Sequence, residues 1–201
     1  ACDVLADDDV QGSLRRLYDL AEAAPGAIES VTGLRELPPL ESGDPPLKGL
    51  HVALDPGHIG GGYARMEERW LSMTPDTAIM EGSLVLQVAH AIKPRLEALG
   101  ARVSLVRQWE NPVTTVKMES LRPVAREILK GAGIANPPDS YAGITGDARV
   151  ATVQWQMEKL FYRVSEIRER ARKVNEELRP NLVVCLHLNA ESWGDPAHPV
   201  F

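Results

Sequence analysis

Two histidines stand at the ends of short apolar runs, where metal ligands are useful. His58 closes Leu54-Asp55-Pro56-Gly57-His58, and His187 follows Leu182-Val183-Val184-Cys185-Leu186. Each run reads as a strand, and in open parallel sheets ligands bind beyond the carboxyl ends of the strands. Both imidazoles are therefore expected at one rim. A single strand end cannot surround an ion, so a third ligand must reach the same rim from elsewhere. Glu81 is the candidate, because it opens a helix whose N-terminus belongs there. Two imidazoles and one carboxylate, with a fourth position left for water, form a common catalytic zinc site. A lone histidine at a strand end is more often structural; two at one rim favour a metal. His51, His90 and His198 have no such setting.

The elements that must position these groups follow from pattern. Residues 49–54 predict the first strand, ended by Asp-Pro-Gly. Gly60, Gly61 and Gly62 open a loop that lacks the Gly-Lys-Ser/Thr of a phosphate loop. A helix begins near residues 81–83, with Val85, Val88, Ile92, Leu96 and Leu99 on one face and Gly100 as its stop. Pro94 lies inside it and predicts a kink or a break. Residues 101–106 predict a second strand. Residues 108–147 form an insertion with one helix at about 117–130. A long helix is expected over about 149–178, from Val150, Val153, Met157, Leu160, Val164, Ile167, Ala171, Val174 and Leu178. Within it, Glu166-Ile167-Arg168-Glu169-Arg170 reads as a solvated, charge-paired face. Residues 181–188 predict a third strand, apolar enough to be buried on both faces, with Cys185 as a small buried hydrophobe. This order implies an α/β fold with a central, mainly parallel sheet and helices on both faces. A short amphipathic helix over 13–23 and a Pro/Gly-rich linker precede it. The organisation is thus 1–48 for helix and linker, and 49–201 for the α/β domain with its insertion.

Composition narrows the functional class. Apolar residues are 44% and charged residues 25% of the 201, so a packed core is affordable and disorder is not indicated. A net charge of −6 lacks the basic balance of a general nucleic-acid binder. No apolar run approaches the roughly 18 residues of a membrane span. Two cysteines, Cys2 and Cys185, do not make a disulfide framework. Ala1-Cys2-Asp3 has the form of a lipoprotein junction, with Cys2 as a candidate lipid anchor; an arbitrary chain start accounts for it equally well.

Five stretches together resemble the zinc-dependent N-acetylmuramoyl-L-alanine amidases of bacterial cell walls, type 3. Val52-Ala53-Leu54-Asp55-Pro56-Gly57-His58-Ile59-Gly60-Gly61 is similar to that family's DPGHGG strand and turn. Glu81-Gly82-Ser83-Leu84-Val85 resembles its metal-binding Glu at a helix start. Leu99 to Arg107 is similar to the strand that ends in Arg, and Arg170 to Asn175 to its Arg-to-Asn helix segment. Val183-Val184-Cys185-Leu186-His187-Leu188-Asn189-Ala190 is similar to its ISIHxNA strand. The resemblance implies zinc held by His58, Glu81 and His187. It also implies a peptidoglycan or muropeptide substrate and a periplasmic or extracellular site of action. Asp55 and Asn189 become candidates for orienting a histidine or touching substrate, though both equally suit turns. Trp70, Trp109 and Trp193 are candidates for stacking on sugar rings, with core packing expected for at least one.

Three features depart from the family. The loop between His58 and Glu81 is longer and holds Glu67 and Glu68, which compete for the ligand role. Glu81 is preferred because the apolar helix starts directly after it. The insertion 108–147 is larger, and reads equally as a lid, an inhibitory helix or a surface elaboration. The family's general-base Glu, on a late strand, has no match here. It is expected beyond Phe201, in a domain whose final strands the sequence does not include, unless the protein lacks that base. A silent relative that binds peptidoglycan, or another zinc amidohydrolase or peptidase on the same fold, are the alternatives.

Overall fold

A computed structural model of the chain describes residues 39–74 and 77–188. Cys2, the helix expected over 13–23, Asn189, Trp193 and His198 lie outside the described residues. Among the described residues the elements begin with strand β1 (His51–Pro56), the hairpin strands β2 (Trp70–Thr74) and β3 (Thr77–Met80), and helix α1 (Glu81–Ala98). Strand β4 (Arg102–Leu105) and helix α2 (Arg122–Gly131) follow, then α3 (Val153–Lys159), α4 (Glu166–Arg172) and strand β5 (Leu182–Leu186).

β1 is the middle of a three-stranded parallel sheet, ordered β4-β1-β5. Val52 lies opposite Val103 on one side and Leu182 on the other; Asp55 lies opposite Cys185. Because side chains alternate across a strand, β1 serves two layers. Val52 and Leu54 join Val103, Leu105 and Ala89 of α1 in the main core, with Ile92 and Leu96 packed around them. Asp55 points the other way and meets Arg170 of α4. Helices thus flank the parallel sheet, as the alternating pattern implied. The segment just before β1 is packed too. Leu47 and Leu50 lie against the main core, and the Leu47 amide donates to the Leu99 carbonyl at 2.9 Å.

The structure corrects four local expectations. α1 runs unbroken through Pro94. Pro94 sits on the exposed side of the helix, where a carbonyl that loses its helical partner is open to solvent. β5 is not buried on both faces. Among the described residues it is an edge, with Leu182 47% and Val183 38% exposed, and Cys185 is exposed as well.

The third correction concerns the long helix, which alternates between α and π turns. π turns occupy Leu160–Ser165 and Lys173–Leu178, on either side of α4. Glu158 aside, the buried positions from Val153 onward are Val153, Met157, Phe161, Glu166 and Arg170. Their spacing is 4, 4, 5 and 4, and the five falls across the first π turn. One extra residue in a turn rotates everything after it by about 100°. Ile167, expected inside, is therefore 50% exposed, while Glu166 and Arg170 face inward at 2% and 7%. This is also the fourth correction: the stretch read as a solvated face is half buried charge.

The insertion shares a second core with the long helix. Ala125 and Leu129 of α2 pack on Val153 and Met157 of α3.

Candidate metal centre

β1 delivers the first candidate ligand, His58, through a tight turn. The Gly57 amide extends strand pairing by donating to the Leu186 carbonyl at 2.9 Å. A Cβ at Gly57 would collide with the imidazole of His187, so glycine lets the two histidine segments approach. His58 itself adopts a left-handed conformation, φ 53°, which costs a non-glycine residue energy and must be held by its surroundings.

Arg170 supplies much of that hold. Its guanidinium donates to the His58 carbonyl at 2.7 Å, the Pro56 carbonyl at 2.7 Å and Asp55 Oδ1 at 2.8 Å. Its Nε donates to Glu166 Oε1 at 2.8 Å. Glu166 Oε2 in turn accepts from the Val113 and Thr114 amides at 2.8 and 2.9 Å, so the start of the insertion is anchored to the same node.

Arg107, at the end of β4, does the matching work for the second ligand. It donates to the Gly82 carbonyl at 2.8 Å and to the Trp109 carbonyl at 2.8 Å. The first turn of α1, which carries Glu81, is thus tied to the sheet. Burial, and then the neighbouring Arg170, push the Arg107 guanidinium down to about 10, and its Nε has no partner. Burial also raises Asp55 above the usual carboxylate value, against the pull of Arg170. Burial likewise pushes the Cys185 thiol up.

The three predicted ligands converge. One donor atom each from His58, Glu81 and His187 all lie within 4.8 Å of one another. His58 Nε2 is 3.4 Å from Glu81 Oε2, and His187 Nδ1 is 3.3 Å from Glu81 Oε1. The two rings meet edge to face, 5.2 Å between centroids. Ligands about 2.0–2.1 Å from a tetrahedral zinc would be roughly 3.3–3.4 Å apart; each His–Glu81 separation is close to that, through a different oxygen of the carboxylate. Further contacts orient Glu81: it accepts from the Leu188 amide at 3.0 Å and lies 3.8 Å from Arg69 Nε. His187 is the open side of the group, with its side chain 54% exposed against 19% for His58 and 12% for Glu81.

The competing carboxylates go elsewhere. Glu67 is buried behind His58, where it accepts from the Ile59 amide at 2.9 Å and the Gly60 amide at 3.4 Å. Glu68 pairs with Arg149 in solvent. Asp55 reaches Arg170, so its link to the centre runs through that guanidinium. Trp70 and Trp109 are 39% and 70% exposed, so neither packs in the core; Arg65 lies over the Trp70 ring at 4.4 Å. Among the described residues, nothing in 108–147 hydrogen-bonds to His58, Glu81 or His187.

Sequence reasoning saw Glu67 only as a rival ligand and Glu166 only as part of a solvated face, and it missed the anchoring roles of Arg107 and Arg170. The two arginines stand in stretches that resemble the amidase motifs, but nothing local marks an Arg as buried. Among the described residues no helix is long and apolar enough to cross a membrane. No family model, no curated protein and no solved structure matches the chain.

Proposed function

We propose that the protein is a zinc-dependent amidase of the bacterial cell envelope. It hydrolyses the amide bond between the lactyl group of N-acetylmuramic acid and L-alanine in peptidoglycan. The observation that carries this reading is the meeting of His58, Glu81 and His187 at the carboxyl end of a parallel sheet. The sequence around each resembles the ligand motifs of the type 3 amidases.

His58, Glu81 and His187 would hold the zinc, with Arg170 and Arg107 keeping their backbones in place. Zinc bound there would polarise the scissile carbonyl and lower the pKa of a bound water. The exposed side of His187 leaves the rim open, as a polymeric substrate requires. A carboxylate must accept the proton of the attacking water and pass it to the leaving amine. Glu67 is engaged by amides and Asp55 by Arg170, so neither is assigned that role.

Metal analysis and a muropeptide digest test the reading together. The purified protein is expected to carry about one zinc per chain, in keeping with one three-ligand site. It should release stem peptides with N-terminal alanine. His58→Ala and Glu81→Ala should abolish both. A zinc-loaded protein that leaves muropeptides intact overturns the amidase and points to a binding or regulatory relative.

A further inference from the structure

We infer that Glu67 is a positioning residue for the metal ligand His58, setting which ring nitrogen faces the ion. The inference rests on the metal centre of the proposed function and adds a residue to it. Glu67 comes from the long loop between His58 and Glu81, and its side chain is only 4% exposed.

A buried carboxylate requires partners. Glu67 finds them in the turn that follows His58. Oε1 and Oε2 accept from the Ile59 amide at 3.1 and 2.9 Å, and Oε2 from the Gly60 amide at 3.4 Å. Those amides belong to the two residues directly after the left-handed His58. The carboxylate therefore braces the backbone that aims the imidazole.

It also faces the ring. Glu67 Oε1 lies 3.6 Å from His58 Nδ1, while Glu81 Oε2 lies 3.4 Å from Nε2 on the opposite edge. A carboxylate accepts and cannot donate, so it favours the N–H on the nitrogen it faces. With Nδ1 carrying the proton, Nε2 keeps its lone pair for the ion beside Glu81. A metal-bound imidazole is also more acidic at its other nitrogen, and a carboxylate there strengthens the ligand. Arg170 holds the same residue from the far side through the His58 carbonyl. Backbone and ring are thus fixed by separate groups.

The test reads zinc affinity and the His58 ring, with no turnover involved. Glu67→Gln keeps the size and one acceptor oxygen but loses the charge. It is expected to weaken zinc binding about 10–100-fold, the usual effect of removing such a partner. In ¹⁵N-labelled, zinc-loaded protein the His58 Nδ1–H proton should exchange slowly in the wild type and faster in Glu67→Gln. Unchanged zinc affinity overturns the inference. So does weakened affinity with an unmoved Nδ1–H signal, which a purely structural role would produce. If the variant does not fold, the wild-type proton decides: slow exchange supports the inference, and fast exchange or metal bound through Nδ1 overturns it. A protein that binds zinc but cleaves no muropeptide removes the amidase and leaves this inference intact. One that cleaves normally with zinc affinity unaffected by Glu67→Gln does the reverse.

Discussion

Helices α2 and α4 carry similar charge pairs at helical spacing and use them in opposite ways. In α2 and its leading turn, Arg122 pairs with Glu119 and Lys130 with Glu127, and Arg126 meets Asp139. All of these side chains stand in solvent, where such pairs contribute little. What holds α2 is apolar: Ala125 and Leu129 against Val153 and Met157. In α4 the pair Glu166–Arg170 is inside the protein, and its remaining hydrogen-bonding capacity goes to Asp55, two carbonyls and two amides. An apolar contact holds a helix in place but tolerates small shifts. A forked guanidinium fixes several backbone atoms at once, because each hydrogen bond has a narrow geometry. The region that carries the candidate metal ligands uses the second device.

The largest effect should come from breaking that node. Arg170→Met leaves Asp55 and Glu166 buried without their partner. It is expected to lower stability by about 3–5 kcal/mol, read from urea denaturation. Arg170→Lys should recover only part, since one ammonium cannot span the same set of acceptors. Full recovery by Lys would show that charge alone matters there.

Leu129→Ala probes the other region. Loss of a buried leucine should cost about 2–5 kcal/mol, while zinc affinity measured by competition stays at the wild-type value. A parallel fall in zinc affinity would mean that the insertion's core and the metal centre are coupled.

Two glycines sharpen the contrast at smaller magnitude. Gly82, in the first turn of α1, has the Gly60 amide nitrogen where a Cβ would go. Gly82→Ala should destabilise by about 1–3 kcal/mol through overpacking and weaken zinc binding, because Glu81 is adjacent. Gly131, at the end of α2, has open space around the same position. Gly131→Ala should stabilise by about 0.5–1 kcal/mol. Thermal melts of the two variants should therefore move in opposite directions.

The smallest effect concerns pH and the far end of β1. His51 is buried, accepts from Arg102 at 2.6 Å and lies 2.9 Å from Ser104 Oγ. Burial first, and then Arg102, lower it below the ordinary histidine value of 6.5. The unfolded chain thus binds this proton more readily than the folded one. The stability this group contributes is present above 6.5 and is lost as pH falls through the lower, folded value. Denaturation midpoints measured between about pH 8 and about pH 5 should fall less in His51→Asn than in the wild type. Equal slopes would remove His51 from the acid response.

How much of this was legible beforehand depends on the kind of signal. The convergence of the three candidate ligands was readable because each ends or opens an element whose type is written in local hydrophobic pattern. A parallel arrangement then sends two strand ends to the same rim. Pairs of charged residues are not readable in that way. Glu119–Arg122 and Glu166–Arg170 are alike as sequence, and only the second is buried. Glu67 and Glu68 are adjacent, yet one braces the turn after His58 and the other pairs with Arg149 in water.

The sequence by itself determined the three parallel strands, the helix that Glu81 opens and the sheet the strands make; the hairpin β2–β3, inside the stretch read as a loop, was not among them. The strands and that helix follow from periodicity and turn chemistry, which act over a few residues. Tertiary structure alone decided which charges point inward. A π turn between Leu160 and Ser165 rotates α4 so that Glu166 and Arg170 meet the sheet. Nothing local specifies that rotation. It arises from packing against β1 and the insertion, where Asp55, the turn carbonyls and the Val113 and Thr114 amides supply partners that pairing in water would not.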